Sequence, residues 1–375
     1  MKNLNSKINS ILSTGIKNVH NVGRCLFGNG SILEINEIIN SRKKKLPGRV
    51  IFFIDIFFKD KTKLIQSLNI ENNDKTIFVD TIKEPTTLLI NQIRDIILNE
   101  STKKPSAIVA IGGGSTMDVA KAVANLLTNP GNAEDYQGWD LLKNPTVYKI
   151  AIPTISGTGS ESTRTCVMIN PSNGLKLGMN SDFTVNNQII LDPELTSTVP
   201  KDQYFWTGMD AYIHSFESLE GAYRNPIGDA YSNQAIQICR NVFLSKDMKT
   251  EENRSNLMVA SYLGGCAIAT SYVGIVHPLS AALSVVLGTH HCLANCIVMR
   301  AMEEFYKKTY KEFWNMVEKQ NVYIPTGICQ NLNEEVLDKL YESTIIHEKP
   351  LTNALGEDYK NIFTKKKIIQ IFSKM

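Results

Sequence analysis

Asp210 and His214 stand four residues apart in Asp210-Ala211-Tyr212-Ile213-His214, which puts a carboxylate and an imidazole on adjacent turns of one helix and on the same side. An isolated pair at this spacing is more often a surface hydrogen bond than a metal site, so further ligands are needed. The chain has six histidines, and three of the others, His277, His290 and His291, fall between Arg254 and Arg300, where there is no Asp, Glu, Lys or Arg. On one straight helix His277 and His291 would be held about 21 Å apart, whereas metal–nitrogen bonds of about 2 Å demand near neighbours. The helix must break, and Gly288 is the natural place. A turn there brings His291 back beside His277 and completes a site of one aspartate and three histidines. Such a set suits Fe(II), Zn(II) or a similar divalent ion, a positive centre able to polarise an alcohol oxygen.

A second chemistry is written in the loops of the first half. Ile111-Gly112-Gly113-Gly114-Ser115-Thr116-Met117-Asp118-Val119-Ala120-Lys121 follows a strand pattern and opens a helix, the context in which glycines let backbone approach a phosphate and a helix N-terminus offers unpaired N–H groups. The spacing is neither Gly-x-Gly-x-x-Gly nor the phosphate loop of nucleotide hydrolases, so an anion cradle is read and a P-loop NTPase is not. Pro153-Thr154-Ile155-Ser156-Gly157-Thr158-Gly159-Ser160-Glu161 also follows a strand and offers hydroxyls and backbone donors; alone it could be a turn. Asp55 closes an apolar run, where a carboxylate can accept from ribose hydroxyls and would repel a 2′-phosphate. A strand-end aspartate capping a turn is an equal reading of that residue.

The elements that must carry these residues differ between the two halves. Apolar runs at 50–54, 108–111, 148–153 and 188–193 alternate with a helical pattern at 88–98, which predicts a parallel sheet covered on both faces. Beyond Pro200 strand signals thin out. Phe205, Met209, Ile213, Phe216 and Leu219 recur at helical spacing, and 234–244, 257–269 and 334–344 continue that pattern. The expected architecture is an α/β, Rossmann-like dinucleotide-binding domain over residues 1–197 and an all-α metal-binding and catalytic domain over 198–375, with the site in the cleft between them.

Composition closes off several function classes. With 40 Lys+Arg against 37 Asp+Glu, a net charge of +3 and 43% apolar residues, neither a disordered chain nor a nucleic-acid-sized basic field is expected. Seven scattered cysteines without a Cys-x-x-Cys suggest neither a disulfide framework nor a zinc ribbon, and fit a reducing cytoplasm. The polar opening Met1-Lys2-Asn3-Leu4-Asn5-Ser6-Lys7 predicts no signal peptide. The uncharged stretch is long enough to imitate a membrane span, but Gly264, Gly265, Gly274, Pro278 and Gly288 break it, so buried helices of a soluble protein are expected.

Taken together these residues resemble the iron-containing (group III) alcohol dehydrogenase family. The resemblance is carried by Phe27-Gly28-Asn29-Gly30, by Gly112-Gly113-Gly114-Ser115 with Asp118, Ala120 and Lys121, by Pro153-Thr154 with Gly157-Thr158-Gly159-Ser160-Glu161, by Gly208-Met209-Asp210-Ala211 with His214, and by His277 and His291. Tyr136-Gln137-Gly138-Trp139-Asp140, Leu177-Gly178-Met179-Asn180-Ser181-Asp182 and Leu287-Gly288-Thr289-His290-His291 look most like its 3-deoxy-manno-octulosonate 8-oxidase branch, which oxidises the terminal hydroxyl of a lipopolysaccharide sugar acid to an aldehyde. The resemblance implies Asp210, His214, His277 and His291 as metal ligands and a pyrophosphate on Gly113, Gly114 and Ser115. It implies NAD rather than NADP through Asp55, with Thr154, Ser156, Thr158 and Lys176 lining the cofactor groove and Asp118 near the nicotinamide. Many members carry a further histidine where this chain has Ala281, so a proton relay would pass to His290. Pro278 after one ligand, Cys292 after another and Glu84 beside the cofactor also depart from the family pattern. A small alcohol or sugar acid is the expected partner, with Arg164 and Lys176 as candidate cations for a carboxylate, no nucleic acid or membrane, and a homodimer as the assembly. A generic alcohol or aldehyde dehydrogenase and a non-catalytic nucleotide- or metal-binding protein are the competing readings.

Overall fold

The computed structural model describes residues 19–375, so the polar opening at 1–7 lies outside the described residues. The first half runs β1 (Arg24–Phe27), α1 (Ile35–Lys45), β2 (Val50–Asp55), α2 (Thr62–Ser67), β3 (Lys75–Val79), α3 (Thr87–Glu100), β4 (Ala107–Gly112), α4 (Gly114–Leu126), β5 (Gly138–Trp139), β6 (Lys149–Pro153), β7 (Thr165–Asn170), β8 (Leu175–Asn180) and β9 (Gln188–Leu191). Among the described residues, six of these strands form one sheet in the order β1-β9-β6-β4-β2-β3, every pairing parallel. Ile51, Phe53, Ile108 and Ala110 pack with α3 and α4 on one face, while Phe52, Ile54, Val109 and Ile111 pack with Ile35 and Ile39 of α1 on the other. Apolar residues at consecutive positions therefore fill two cores at once, the reason these strands show no alternation.

The strand order places the ligand loops. β6, β4 and β2 are adjacent and parallel, with Ile54 beside Ile111 and Gly112 beside Pro153. The turns after all three leave the same edge, so Asp55, Gly113–Gly114 and Thr154–Thr158 face one another at the carboxyl ends of the strands, the usual ligand position in such sheets. A three-stranded sheet, β5-β8-β7, stands apart from this one, with β7 and β8 forming an antiparallel hairpin.

Past β9 the described residues are helical: α5 (Lys201–Glu220), α6 (Pro226–Phe243), α7 (Glu251–Ser271), α8 (Val276–Leu287), α9 (His291–Val298), α10 (Lys307–Gln320), α11 (Glu334–Ile345), α12 (Glu348–Leu355) and further short helices to the C-terminus. The expected connector at 197–200 falls between β9 and α5. α5 runs through the middle, with Phe205, Met209, Ile213 and Phe216 all buried, each contributing about 1.5–3 kcal/mol of burial. Gly208 is what lets it pass between α6 and α7, because a Cβ there would meet Phe243 at 2.6 Å and Leu257 at 2.8 Å. No single described helix is long and apolar enough to cross a membrane; α7 and α8 pass that test only as a pair bent by 105°. At Gly288 the chain takes φ +68° and ends α8, and His291 opens α9.

Candidate active site

The three elements that carry the expected ligands meet. One ligand atom each from Asp210 on α5, His277 on α8 and His291 on α9 lies within 4.8 Å of the others. His214 joins them from the next turn of α5, its Nε2 3.3 Å from Asp210 Oδ1 and its ring stacked on His277 at 4.7 Å. The cluster is nearly dry: Asp210 is 1% exposed and His214 3%. His214 Nδ1, His277 Nε2 and His291 Nδ1 are buried without a hydrogen-bond partner, which a polar pocket does not tolerate unless something else binds there. One carboxylate and three imidazoles with unsatisfied nitrogens fit a divalent cation of borderline softness.

Each group's charge state follows from its neighbours. Burial alone would raise the Asp210 carboxyl, but His214, His277 and His291 hold it well below the usual carboxylate range. Burial depresses His214 to about 4 and His291 to about 3, against the pull of Asp210, so both are neutral donors at physiological pH. His277 goes the other way: burial opposes its protonation, yet Glu217 and Asp210 raise it to about 9.

Glu217 is the residue that sequence reasoning missed. It lies on α5 seven positions after Asp210, the same face as Asp210 and His214, and that spacing was the available signal. Its Oε2 lies 2.5 Å from His277 Nδ1 and its Oε1 accepts from the Val276 N–H at 2.6 Å. The carboxylate thus holds a proton on Nδ1 and turns Nε2 toward Asp210, 3.4 Å away. Asn295, one turn into α9, was also missed; its amide donates to Asp210 Oδ1 at 2.7 Å. Cys292 is buried against the same aspartate, Sγ 3.8 Å from Oδ2.

A cleft of about 740 Å³ runs from this cluster to the sheet edge, and Asp55, Gly113, Gly114, Ser115, Asp118, Thr154, Thr158, Lys176 and His290 all line it. Of the two readings of Asp55 the turn cap is the one realised, Oδ1 accepting from Phe57 N–H at 3.0 Å, while Oδ2 accepts from Thr81 Oγ1 at 3.2 Å and the residue lines the cleft. Gly113 starts α4 as its N-cap, and a Cβ there would meet Ile155 at 2.8 Å, so the glycine turn and the Thr154–Thr158 loop are packed together. Gly157 has φ +141°, and a Cβ on it would lie 1.6 Å from the Thr207 carbonyl oxygen, which presses the cofactor-side loop onto the helix that carries Asp210 and His214.

Four expectations need adjustment. Ser156 does not line the cleft; it is 2% exposed, because the chain turns at Gly157 to pack on α5. Asp118 faces the cleft but both its oxygens are engaged, Oδ1 by Ser160 Oγ at 2.6 Å and Oδ2 by the Val167 N–H at 2.9 Å, so here it anchors β7 rather than standing free to move a proton. Lys176 is paired with Glu84 at 2.8 Å, and Arg164 bridges Asp140 and Asp182, so neither offers an uncompensated cation. Ala281 leaves only a methyl group on the cleft wall, while His290 is exposed at its rim.

Comparison with known proteins finds similarity over most of the chain. A family model described as iron-containing alcohol dehydrogenase matches residues 23–193, and its C-terminal counterpart matches 205–344. Alcohol dehydrogenase 4 of Schizosaccharomyces pombe is 31% identical over 287 residues, covering 75% of this chain and 66% of that protein. Sulfoacetaldehyde reductase of Bilophila wadsworthia is 37% identical over 191 residues, 50% of this chain and 49% of that one. The chain thus spans two thirds or less of the length of these two relatives. A sulfoacetaldehyde reductase from Bifidobacterium kashiwanohense, solved in complex with NAD+, shares the fold with a TM-score of 0.78 at 22% identity, covering 95% of this chain and 98% of that one.

Proposed function

Because the chain belongs to the iron-containing alcohol dehydrogenase family, we propose that it is an NAD-dependent oxidoreductase that uses iron at Asp210, His214, His277 and His291, and that its alcohol is the C8 hydroxyl of 3-deoxy-manno-octulosonate, oxidised to the aldehyde. The observation that carries the reaction class is the single cleft with a cation-binding cluster at one end and a glycine helix-start beside Asp55 at the other. What supports the substrate is where the octulosonate-like segments lie: Gln137, Gly138 and Trp139, Leu177, Gly178 and Asn180, and His290 and His291 all line that cleft, where substrate contacts belong.

When bound, the cation supplies Lewis acidity at the hydroxyl oxygen and the nicotinamide supplies a two-electron hydride acceptor. The chain does the rest. The N–H groups at the start of α4 bind the pyrophosphate, and Asp55 accepts from the adenosine ribose and disfavours a 2′-phosphate. Glu217 keeps His277 in the tautomer that offers Nε2. Ile268, Ala269, Val273 and Pro278 wall the cleft near the histidines and exclude water from the reacting carbon. His290, at the exposed rim, carries the hydroxyl proton to solvent.

The test is anaerobic incubation of the Fe(II)-loaded protein with NAD and the octulosonate, following NADH and aldehyde. His277→Ala should abolish iron binding and turnover together; activity retained in a metal-free variant would refute the assignment. A second reading, a dehydrogenase of a small neutral alcohol, is favoured by the similarity to an NAD-dependent methanol dehydrogenase of Bacillus methanolicus, 29% identical over 281 residues, and turnover of propanediol or butanol in preference to the octulosonate would establish it.

A further inference from the structure

The charges along the cleft leave one cation without a carboxylate partner, at the end away from Asp55. Lys349, in the first turn of α12, lines the cleft, and no carboxylate accepts from its ammonium among the described residues. Its Nζ instead lies 3.7 Å from the centroid of the Trp139 ring and 5.5 Å from that of Tyr272, two rings that meet edge-to-face at 5.1 Å and also line the cleft. Aromatic faces orient an ammonium and offer it no acceptor. Asp140, the acid nearest in sequence to Trp139, is bonded by Arg164; burial lowers the Lys349 ammonium most, and the Asp140 carboxylate and the Arg164 guanidinium act on it in opposite senses without a direct contact.

Tyr272 is held in place at a cost. It has φ +60° and ψ 171°, a region that residues other than glycine scarcely occupy and that persists only where surroundings enforce it. They do: Asn353 on α12 donates to the carbonyls of Ser271 and Val273, both at 3.0 Å, and Ser218 Oγ donates to the Tyr272 carbonyl at 3.1 Å. The helix that bears Lys349 is thereby bolted to the strained turn, and His277 follows that turn by five residues. His347, at the N-cap of α12, lines the same cleft as His277 and His291, which puts this corner on the wall that leads to the metal cluster.

We propose that Trp139, Tyr272 and Lys349 form a subsite for the anionic end of a carbohydrate acid, the sugar face stacking on Trp139 and the carboxylate accepting from Lys349 while the distal hydroxyl reaches the histidines. This deepens the functional reading above and rests on it for where the hydroxyl goes. It also replaces Arg164 and Lys176, both paired, as the cation that reads a carboxylate.

The experiment is calorimetric binding of the octulosonate, of gluconate and of its uncharged counterpart sorbitol to the full-length protein with NAD, in wild type, Lys349→Gln, Lys349→Arg and Trp139→Ala, alongside the aldehyde assay on wild type. Lys349→Gln should weaken both acids about tenfold or more and sorbitol about twofold or less, with Lys349→Arg restoring most of the acid affinity. Trp139→Ala should weaken all three. Acid binding that is indifferent to Lys349→Gln, or equal losses for gluconate and sorbitol, overturns the subsite, even if the octulosonate is oxidised. Acid binding that depends on Lys349 without any oxidation keeps the subsite and removes the proposed reaction. Failure of either acid to bind wild-type protein overturns the subsite as well.

Discussion

Glu217→Gln changes one atom in a carboxylate that is 1% exposed, and its consequence can be worked through from two contacts. The native oxygens accept from Val276 N–H at 2.6 Å and His277 Nδ1 at 2.5 Å, with the Tyr306 hydroxyl also against them. Glutamine has one oxygen and one NH₂, so it can satisfy only one donor as they stand. The Val276 N–H is fixed in the backbone, whereas the imidazole can change tautomer. The amide oxygen therefore stays on Val276, its NH₂ turns to Nδ1, and the ring proton moves to Nε2. That nitrogen, otherwise without a partner and 3.4 Å from Asp210, then carries a hydrogen and offers a cation no lone pair. Losing an orienting partner of this kind costs about 10- to 100-fold in metal affinity, or about 1.4–2.8 kcal/mol. Anaerobic titration of metal-free protein with Fe(II), with a melting curve to show that the variant folds, reads this directly. A folded Glu217→Gln protein that binds Fe(II) within about twofold of wild type would refute the reasoning.

Metal affinity should also depend on pH through His277. Burial works against its protonation, but Glu217 and Asp210 raise it to about 9, so at neutral pH an incoming ion must displace its proton; affinity should climb from pH 7 and level off near 9, and a flat profile contradicts this. In the metal-free protein that raised group stabilises the fold fully below the unfolded value of 6.5 and loses its contribution as pH rises through about 9. His214 and His291, lowered to about 4 and about 3 by burial, act in the opposite sense, so denaturation midpoints should fall as pH drops below 6.5. Asp55→Asn should cut the preference for NAD over NADP by about tenfold, the worth of one charge-assisted bond, measured as the ratio of the two dissociation constants; an unchanged ratio removes Asp55 from cofactor choice. Gly157→Ala should destabilise by about 4 kcal/mol or more, since its Cβ would enter the Thr207 carbonyl at a φ of +141°, and a denaturant midpoint near wild type would show that the loop yields.

Much of the fold was legible because its signals are local. Strands β2, β4, β6 and β9 are doubly buried and read as continuous apolar runs, and the break at Gly288 followed from the need to bring His291 back to His277. β1 and β3 escaped notice for the converse reason: they are the sheet's edges, and Arg24–Phe27 is largely exposed, so neither continuity nor alternation marks it. The β7–β8 hairpin interrupts the βαβ rhythm, and no local pattern foretells that it leaves the main sheet. At the site, the candidate ligands are legible by type and spacing, whereas the residues that hold them are not. Glu217 and Asn295 act on side chains from other helices, and that pairing exists only after α5, α8 and α9 pack. The same limit made Asp118, Arg164 and Lys176 look available, since their partners Ser160, Asp140 and Glu84 are brought to them by the fold.

The central claim is that four side chains from α5, α8 and α9 enclose one divalent ion next to a dinucleotide. X-ray absorption at the iron edge of the Fe(II)-loaded protein, with NAD bound, tests it most directly. The account predicts an inner shell of three imidazole nitrogens and carboxylate oxygen at about 2.0–2.2 Å, reduced by one nitrogen in His291→Ala. A shell without imidazole scattering, or one unchanged in that variant, would contradict it.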